Sequence, residues 1–180
     1  MIKPWPIVAT RKGPDMGLFS IIINRCRSPR TGEEHDFYVI DFPSWVQILP
    51  ITPSDEVVMV RQYRHGCRRV LLELPGGIID ADDGNPADTA RRELLEETGY
   101  HADDLLLLAK TYPQPSVLSN IGLTYVARDV IRAQDPRLDA AEDIEVCLEE
   151  LNKIPEMIRS GEINHGQTVM ALSTYFLLAR

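Results

Sequence analysis

Apolar residues in the first half of the chain fall in short runs bounded by turn formers. Residues 19–26 (F-S-I-I-I-N-R-C) and 35–42 (H-D-F-Y-V-I-D-F) lie on either side of S-P-R-T-G-E-E and predict two strands. Residues 45–50 add a third. The β-rich run 57–60 follows the turn residues Pro53, Ser54 and Asp55, and 69–74 leads into Leu74-Pro75-Gly76-Gly77. Further on, strands are predicted at 105–110 and 121–127, separated by T-Y-P-Q-P-S-V-L-S-N, and at 144–148 after a polar stretch. From Glu149 onward the apolar spacing becomes helical, with a break at 161–166 (G-E-I-N-H-G) and a last helix from about 167 to 178. The stretch before residue 19 is read as irregular. Strands first and helices afterwards is the order of an α+β fold.

One segment interrupts this strand rhythm. Asn85 is placed to cap a helix, Pro86 suits its first position, Asp88 its first turn, and Gly99 its end. Glu93, Glu96 and Glu97 then share one face. Like charges at that spacing repel by roughly 0.2–0.5 kcal/mol per pair on an exposed helix. Arg92 can answer Glu96 at i+4, but a divalent cation neutralises the group more completely, and carboxylates with water suit Mg²⁺. The preceding L-P-G-G is a loop whose backbone can approach a ligand closely. A solvated Glu- and Arg-rich face would have the same composition; the fixed spacing of the whole stretch sets this one apart.

Gly77, Arg92-Glu93-Leu94-Leu95-Glu96-Glu97-Thr98-Gly99 and Tyr100 resemble the signature box of the Nudix hydrolases, here residues 77–100. Two departures stand inside it. Asp83 replaces the family's early Glu, and eight residues instead of seven separate it from Arg92. The flanks are similar to the ADP-ribose pyrophosphatase branch: V-R-Q-Y-R followed by L-E-L-P-G-G, Pro113 and Pro115 past the box, A-E-D-I-E-V, and the tail I-R-S-G-E-I-N-H-G-Q-T. The resemblance implies one Nudix domain over residues 1–180, a mixed β-sheet sandwiched between helices with extra N-terminal strands. It also implies a homodimer joined through residues 1–50.

It further implies hydrolysis of ADP-ribose or a related nucleoside diphosphate sugar to a nucleoside monophosphate and a sugar phosphate, with Mg²⁺ or Mn²⁺. Dinucleoside polyphosphates, nucleoside triphosphates and a non-catalytic nucleotide sensor are the alternatives. Carried over by residue, Glu93, Glu96, Glu97 and the Gly76 carbonyl are metal ligands, and Arg92 orients the glutamates. In the later acidic loop the family's usual base position is Ala140. Glu142 matches the second acid, as base or metal ligand, with a solvated loop acid as the plain alternative; Asp139 or a box glutamate could also activate water. Arg61 and Arg64 are candidates for the substrate phosphates, since a guanidinium holds two phosphoryl oxygens. Glu73 either contacts substrate or buttresses the loop, and Pro115 lies in the substrate loop. Trp45, Tyr63 and Tyr112 can stack on a base or simply pack. His65 and His165 have no sequence partners and read as surface or capping residues.

A formal charge of −8 argues against nonspecific binding to nucleic acid or anionic membranes. No apolar run has the length of a signal peptide or a membrane span. Cys26, Cys67 and Cys147 lack metal-ligand spacing and read as reduced core thiols of a cytoplasmic protein.

Overall fold

The computed structural model describes residues 1–80 and 82–178. The chain divides into two compact units, one of residues 1–44 and 112–121, the other of the rest.

The first unit holds β1 (Ile7–Asp15), β2 (Ser20–Arg27) and β3 (Glu34–Asp41), an antiparallel sheet in that order. β1 corrects the irregular start. Its residues are largely exposed, so no alternation marks it, and Gly13-Pro14 sit within it where the pairing with β2 shifts register. Ion pairs between strands, Arg11 to Asp36 and Arg27 to Glu34, both at 2.7 Å, fix the alignment. The loop 112–121 adds a parallel bridge, with Ile40 N–H donating to Val117 O (2.7 Å) and Ser119 N–H to Ile40 O (3.1 Å).

The second unit is built on a mixed sheet of β4 (Trp45–Ile51), β5 (Glu56–Arg64), β6 (Arg69–Glu73), β8 (Leu106–Thr111), β9 (Gly122–Arg128) and β11 (Ile144–Glu150). Its path runs β11-β5-β4-β9-β8, with β6 beside β5. β4 and β9 are parallel; β5 pairs antiparallel with β11, β6 and the end of β4. Two short strands absent from the sequence expectation, β7 (Tyr100–His101) and β10 (Ile131–Arg132), pair with each other.

Side chains alternate across this sheet. Leu49, Ile51, Val57 and Met59 form one core with Ile154, Met157, Leu172 and Tyr175 from α2 (Ile154–Ser160) and α3 (Gly166–Leu178). Ile48, Val58 and Val60 point to the other side, where α1 (Pro86–Thr98) packs. The sandwich of helices around a mixed sheet is therefore as expected. The tail differs at one point: Glu149 and Glu150 are still strand, because β11 stays paired with β5 as far as Glu56, and helix begins only at Ile154. The three cysteines are free, but Cys67 is exposed on the β5–β6 turn and is no core thiol. Among the described residues no helix is long and apolar enough to cross a membrane.

Candidate active site

α1 forms as its ends foretell. Asn85 Oδ1 accepts from Ala87 N–H at 3.1 Å, Pro86 opens the helix, and Gly99 closes it at φ 76°, its N–H donating to Leu95 O. That left-handed turn suits glycine, and a Cβ there would also lie 2.1 Å from Gln134 O. The inward stripe of the helix runs Ala90, Leu94, Glu97, so it ends in a carboxylate. The sequence puts an acid where a core residue would otherwise stand.

The L-P-G-G loop is pinned to the sheet. Where β4 parts from β5, Ile48 N–H donates to Pro75 O and Val46 N–H to Gly77 O, both at 2.9 Å. The approach leaves no room for side chains: a Cβ on Gly76 would lie 2.2 Å from Val46 O, and one on Gly77 would lie 2.4 Å from the Glu93 carboxyl carbon. Gly76 N–H donates to Glu97 Oε2 at 2.8 Å. Its carbonyl receives no hydrogen bond among the described residues.

The acids divide by environment. Glu97 is 5% exposed, and burial, reinforced by the charges of Glu93 and Glu142, pushes its carboxyl from 4.5 up to about 8 against the pull of the Gly76 N–H. Glu93 is raised too, chiefly by burial, although Arg92 Nη1 sits 2.9 Å from it. Glu96 faces water and takes a 2.9 Å bond from Arg92. Arg92 thus holds both neighbours. It also lies 3.6 Å from Asp83, whose carboxylate accepts from Asp80 N–H and Thr89 Oγ1 and sits below its ordinary range mainly because of that hydroxyl. Asp83 therefore ties the loop to the helix despite the shorter side chain and the extra residue.

Glu142 stands on a loop docked on the helix end. Ala133 and Gln134 N–H donate to Gly99 O, and Arg137 N–H donates to Glu96 O at 2.7 Å. Within that loop Asp139 N–H binds Glu142 Oε2 at 3.0 Å, so Asp139 and Glu142 close a turn with Ala140 inside it. The charge of Glu142 is felt by Glu93 and Glu97.

Among the described residues no three His, Cys, Asp or Glu side chains are gathered into a finished metal site. The donor chemistry still fits a hard cation: buried carboxylates that repel one another and a free backbone carbonyl are oxygen ligands in need of positive charge. Arg64 supplies part of it, lowering the carboxyl of Glu97, while both its ends grip Glu73 at 2.8 and 2.7 Å. Glu73 is 1% exposed and stands as a buttress. Arg61, three residues from Arg64 on a regularly paired strand, points to the opposite face and lies 3.6 Å from Glu149. Pro115 belongs to the first unit, in a turn where Val117 and Leu118 N–H donate to Gln114 O. Trp45 packs over Gly122, whereas Tyr63 and Tyr112 are exposed, Tyr63 edge-on to His65.

Of the surface and capping readings, His165 takes the second: it stands immediately before α3, and its carbonyl accepts from Val169 N–H at 2.9 Å. It is largely enclosed and lies against Glu73 and Thr168. Thr168 is three residues on, but Glu73 is so distant along the chain that it leaves no local signal.

An acid-bearing helix beside a glycine loop, both mounted on a sheet between helices, belongs here to a family of hydrolases acting on phosphoric anhydrides, as its relatives show. The NUDIX domain model matches residues 42–169, and the chain belongs to the Nudix family. It is 30% identical over 135 residues to the ADP-ribose pyrophosphatase of Bacillus subtilis (strain 168), covering 74% of this chain and 72% of that protein. It is 33% identical over 155 residues to the GDP-mannose pyrophosphatase of Salmonella typhimurium (strain LT2), covering 80% of each. A crystal structure of an ADP compounds hydrolase shares the fold with a TM-score of 0.86 over 99% of this chain and 95% of that one, at 23% identity.

Proposed function

We propose that this Nudix hydrolase is a pyrophosphatase of ADP-ribose or a related nucleoside diphosphate sugar such as GDP-mannose, dependent on Mg²⁺, with Mn²⁺ as a substitute. The observation that carries this is the buried Glu97, with no side-chain hydrogen-bond donor of its own among the described residues, beside the half-buried Glu93 and next to a loop that offers a backbone carbonyl. Relatives named for ADP-ribose and GDP-mannose support the substrate class.

In this reading Glu93, Glu97 and the Gly76 carbonyl hold the metal, with Glu96 and Glu142 at its margin. When bound, the ion offsets charge on the phosphoryl oxygens and acidifies water. Arg92 keeps Glu93 and Glu96 in place through its 2.9 Å contacts. Arg64 receives the diphosphate, its guanidinium already oriented by Glu73. Glu142 takes the proton of the attacking water. Arg61, which faces the other side of β5 toward Glu149, has no part in this reading.

Product analysis tests the reading with ADP-ribose, GDP-mannose, a dinucleoside polyphosphate and a nucleoside triphosphate, each with Mg²⁺ and with chelator. Metal-dependent release of a monophosphate from one of the sugars is expected; preference for the triphosphate or the dinucleoside moves the substrate class. Ala140 favours a second reading, a nucleotide sensor, and binding without turnover in either metal would establish it. Glu142→Gln should slow turnover about 10²-fold if this residue is the base.

We also infer a cytoplasmic homodimer formed through residues 1–50. The exposed Ile7, Val8, Phe37 and Tyr38 of the first sheet support the contact, and the free cysteines the compartment. Light scattering on the intact chain should give twice the monomer mass.

A further inference from the structure

The H-G-Q-T stretch that opens α3 has no part in the chemistry above, yet it ends against the anchor of Arg64. His165 Nδ1 lies 3.0 Å from Thr168 Oγ1 and 3.3 Å from Glu73 Oε2. Thr168 is fully buried, and its Oγ1 accepts the N–H of Leu74, the first residue of the glycine loop, at 3.0 Å. The start of α3 is itself fastened to the sheet: Gln47 Nε2, buried, donates to Gln167 O at 3.1 Å and to Thr124 Oγ1 at 2.8 Å. One point of the fold therefore touches the guanidinium anchor and the loop together.

Glu73 accepts from Arg64 through both oxygens, and Thr168 Oγ1 accepts from Leu74 N–H. His165 Nδ1 is within hydrogen-bond distance of Thr168 Oγ1 and in close contact with Glu73 Oε2, and burial holds its pKa below the ordinary value. The ring thereby stands against the same Oε2 of Glu73 that accepts from Arg64 Nη2.

We propose that His165 and Thr168 are positioning residues for substrate binding: through Glu73 they hold the Arg64 guanidinium, and through Leu74 the glycine loop, in the orientation that receives a diphosphate. This rests on the reading of Arg64 as a diphosphate contact. A charge-assisted fork loses directionality when its carboxylate can rotate, and His165, itself held by Thr168, restricts that rotation.

The test is a double-mutant cycle read by steady-state kinetics and by NMR. His165→Leu should raise KM for the preferred nucleotide sugar about 10-fold with kcat nearly unchanged. His165→Asn, whose amide N–H falls close to Nδ1, should restore most of it. In an Arg64→Ala background His165→Leu should add nothing further, because the effect travels through Arg64. Thr168→Val should raise KM in the same way and Thr168→Ser should not; this pair carries the test if His165→Leu does not fold. Without any substrate, exchange of the Arg64 Nε–H should quicken in His165→Leu. An equal rise in KM with and without Arg64, or a lower melting temperature at unchanged KM and unchanged Arg64 exchange, overturns the proposal. If Arg64→Ala leaves KM as it was while the exchange still responds to His165, the anchoring stands and the diphosphate role of Arg64 falls.

Discussion

Glu97 and Glu73 are both carboxylates almost withdrawn from water, and the protein treats them in opposite ways. Glu73 has a guanidinium across both oxygens and an imidazole beside one of them. Glu97 has one backbone N–H, two other acids in range, and a guanidinium committed elsewhere. The difference separates a finished ion pair from an unfinished one. Burying a charge without a partner is costly, so a fold keeps such a group where a ligand completes it.

The strongest way to break this contrast is Glu97→Gln. Turnover should fall below detection, affinity for the metal should drop, and the fold should persist; unchanged activity would remove Glu97 from the metal site. The next largest effect is on stability against pH. An unfolded Glu97 loses its proton near 4.5 while the folded one keeps it to about 8, so the folded state binds more protons across that window. Stability of the metal-free protein should therefore be greatest below pH 4.5 as far as this group is concerned and fall by several kcal/mol as pH rises toward 8. Urea melts of the wild type and Glu97→Gln, compared at each pH, isolate the group, because the opposite tendency of His165 is common to both. Mg²⁺ should recover more stability at pH 8 than at pH 6, and an equal gain at both would argue against ligation through Glu97.

Glu73→Gln probes the finished pair. It strips Arg64 of its counter-charge at a buried contact, and roughly 2–3 kcal/mol of stability should be lost, measured by denaturant. The loss should be nearly the same with and without metal, in contrast to Glu97→Gln. Smallest is Glu96→Gln: its carboxylate is exposed, and under about 1 kcal/mol should follow. A greater loss would move Glu96 to the buried side of the comparison.

What the sequence disclosed follows the range of the interactions. α1 was legible to its last residue because Asn85, Pro86 and Gly99 act on their own neighbours. The strands of the second unit were legible because Val57 to Val60 and residues 122 to 127 are buried on both sides of a sheet. β1 escaped because its side chains are solvated and its strand character comes from pairing with β2. The acids of the box could be named from spacing, but not their inequality: Glu96 differs from Glu97 only by which way the helix turns toward the core. Asp83 looked like a defect and serves as a tie, since Thr89 and Arg92 reach back to it. The partnership of Glu73 with His165 depends on the tertiary path of the whole chain. No periodicity records it.

Replacing a strand of the sheet with the segment Pro75 to Gly77 has a consequence for affinity. A loop that wraps a polyphosphate usually surrenders conformational freedom when it does so, and part of the contact energy is lost to that ordering. Here the backbone is already committed through Val46 and Ile48, so a nucleotide meets a surface as rigid as a sheet edge. Dissociation constants for substrate analogues should accordingly change little with loop-stiffening solutes such as trehalose, and the discrimination among nucleotides falls to side chains.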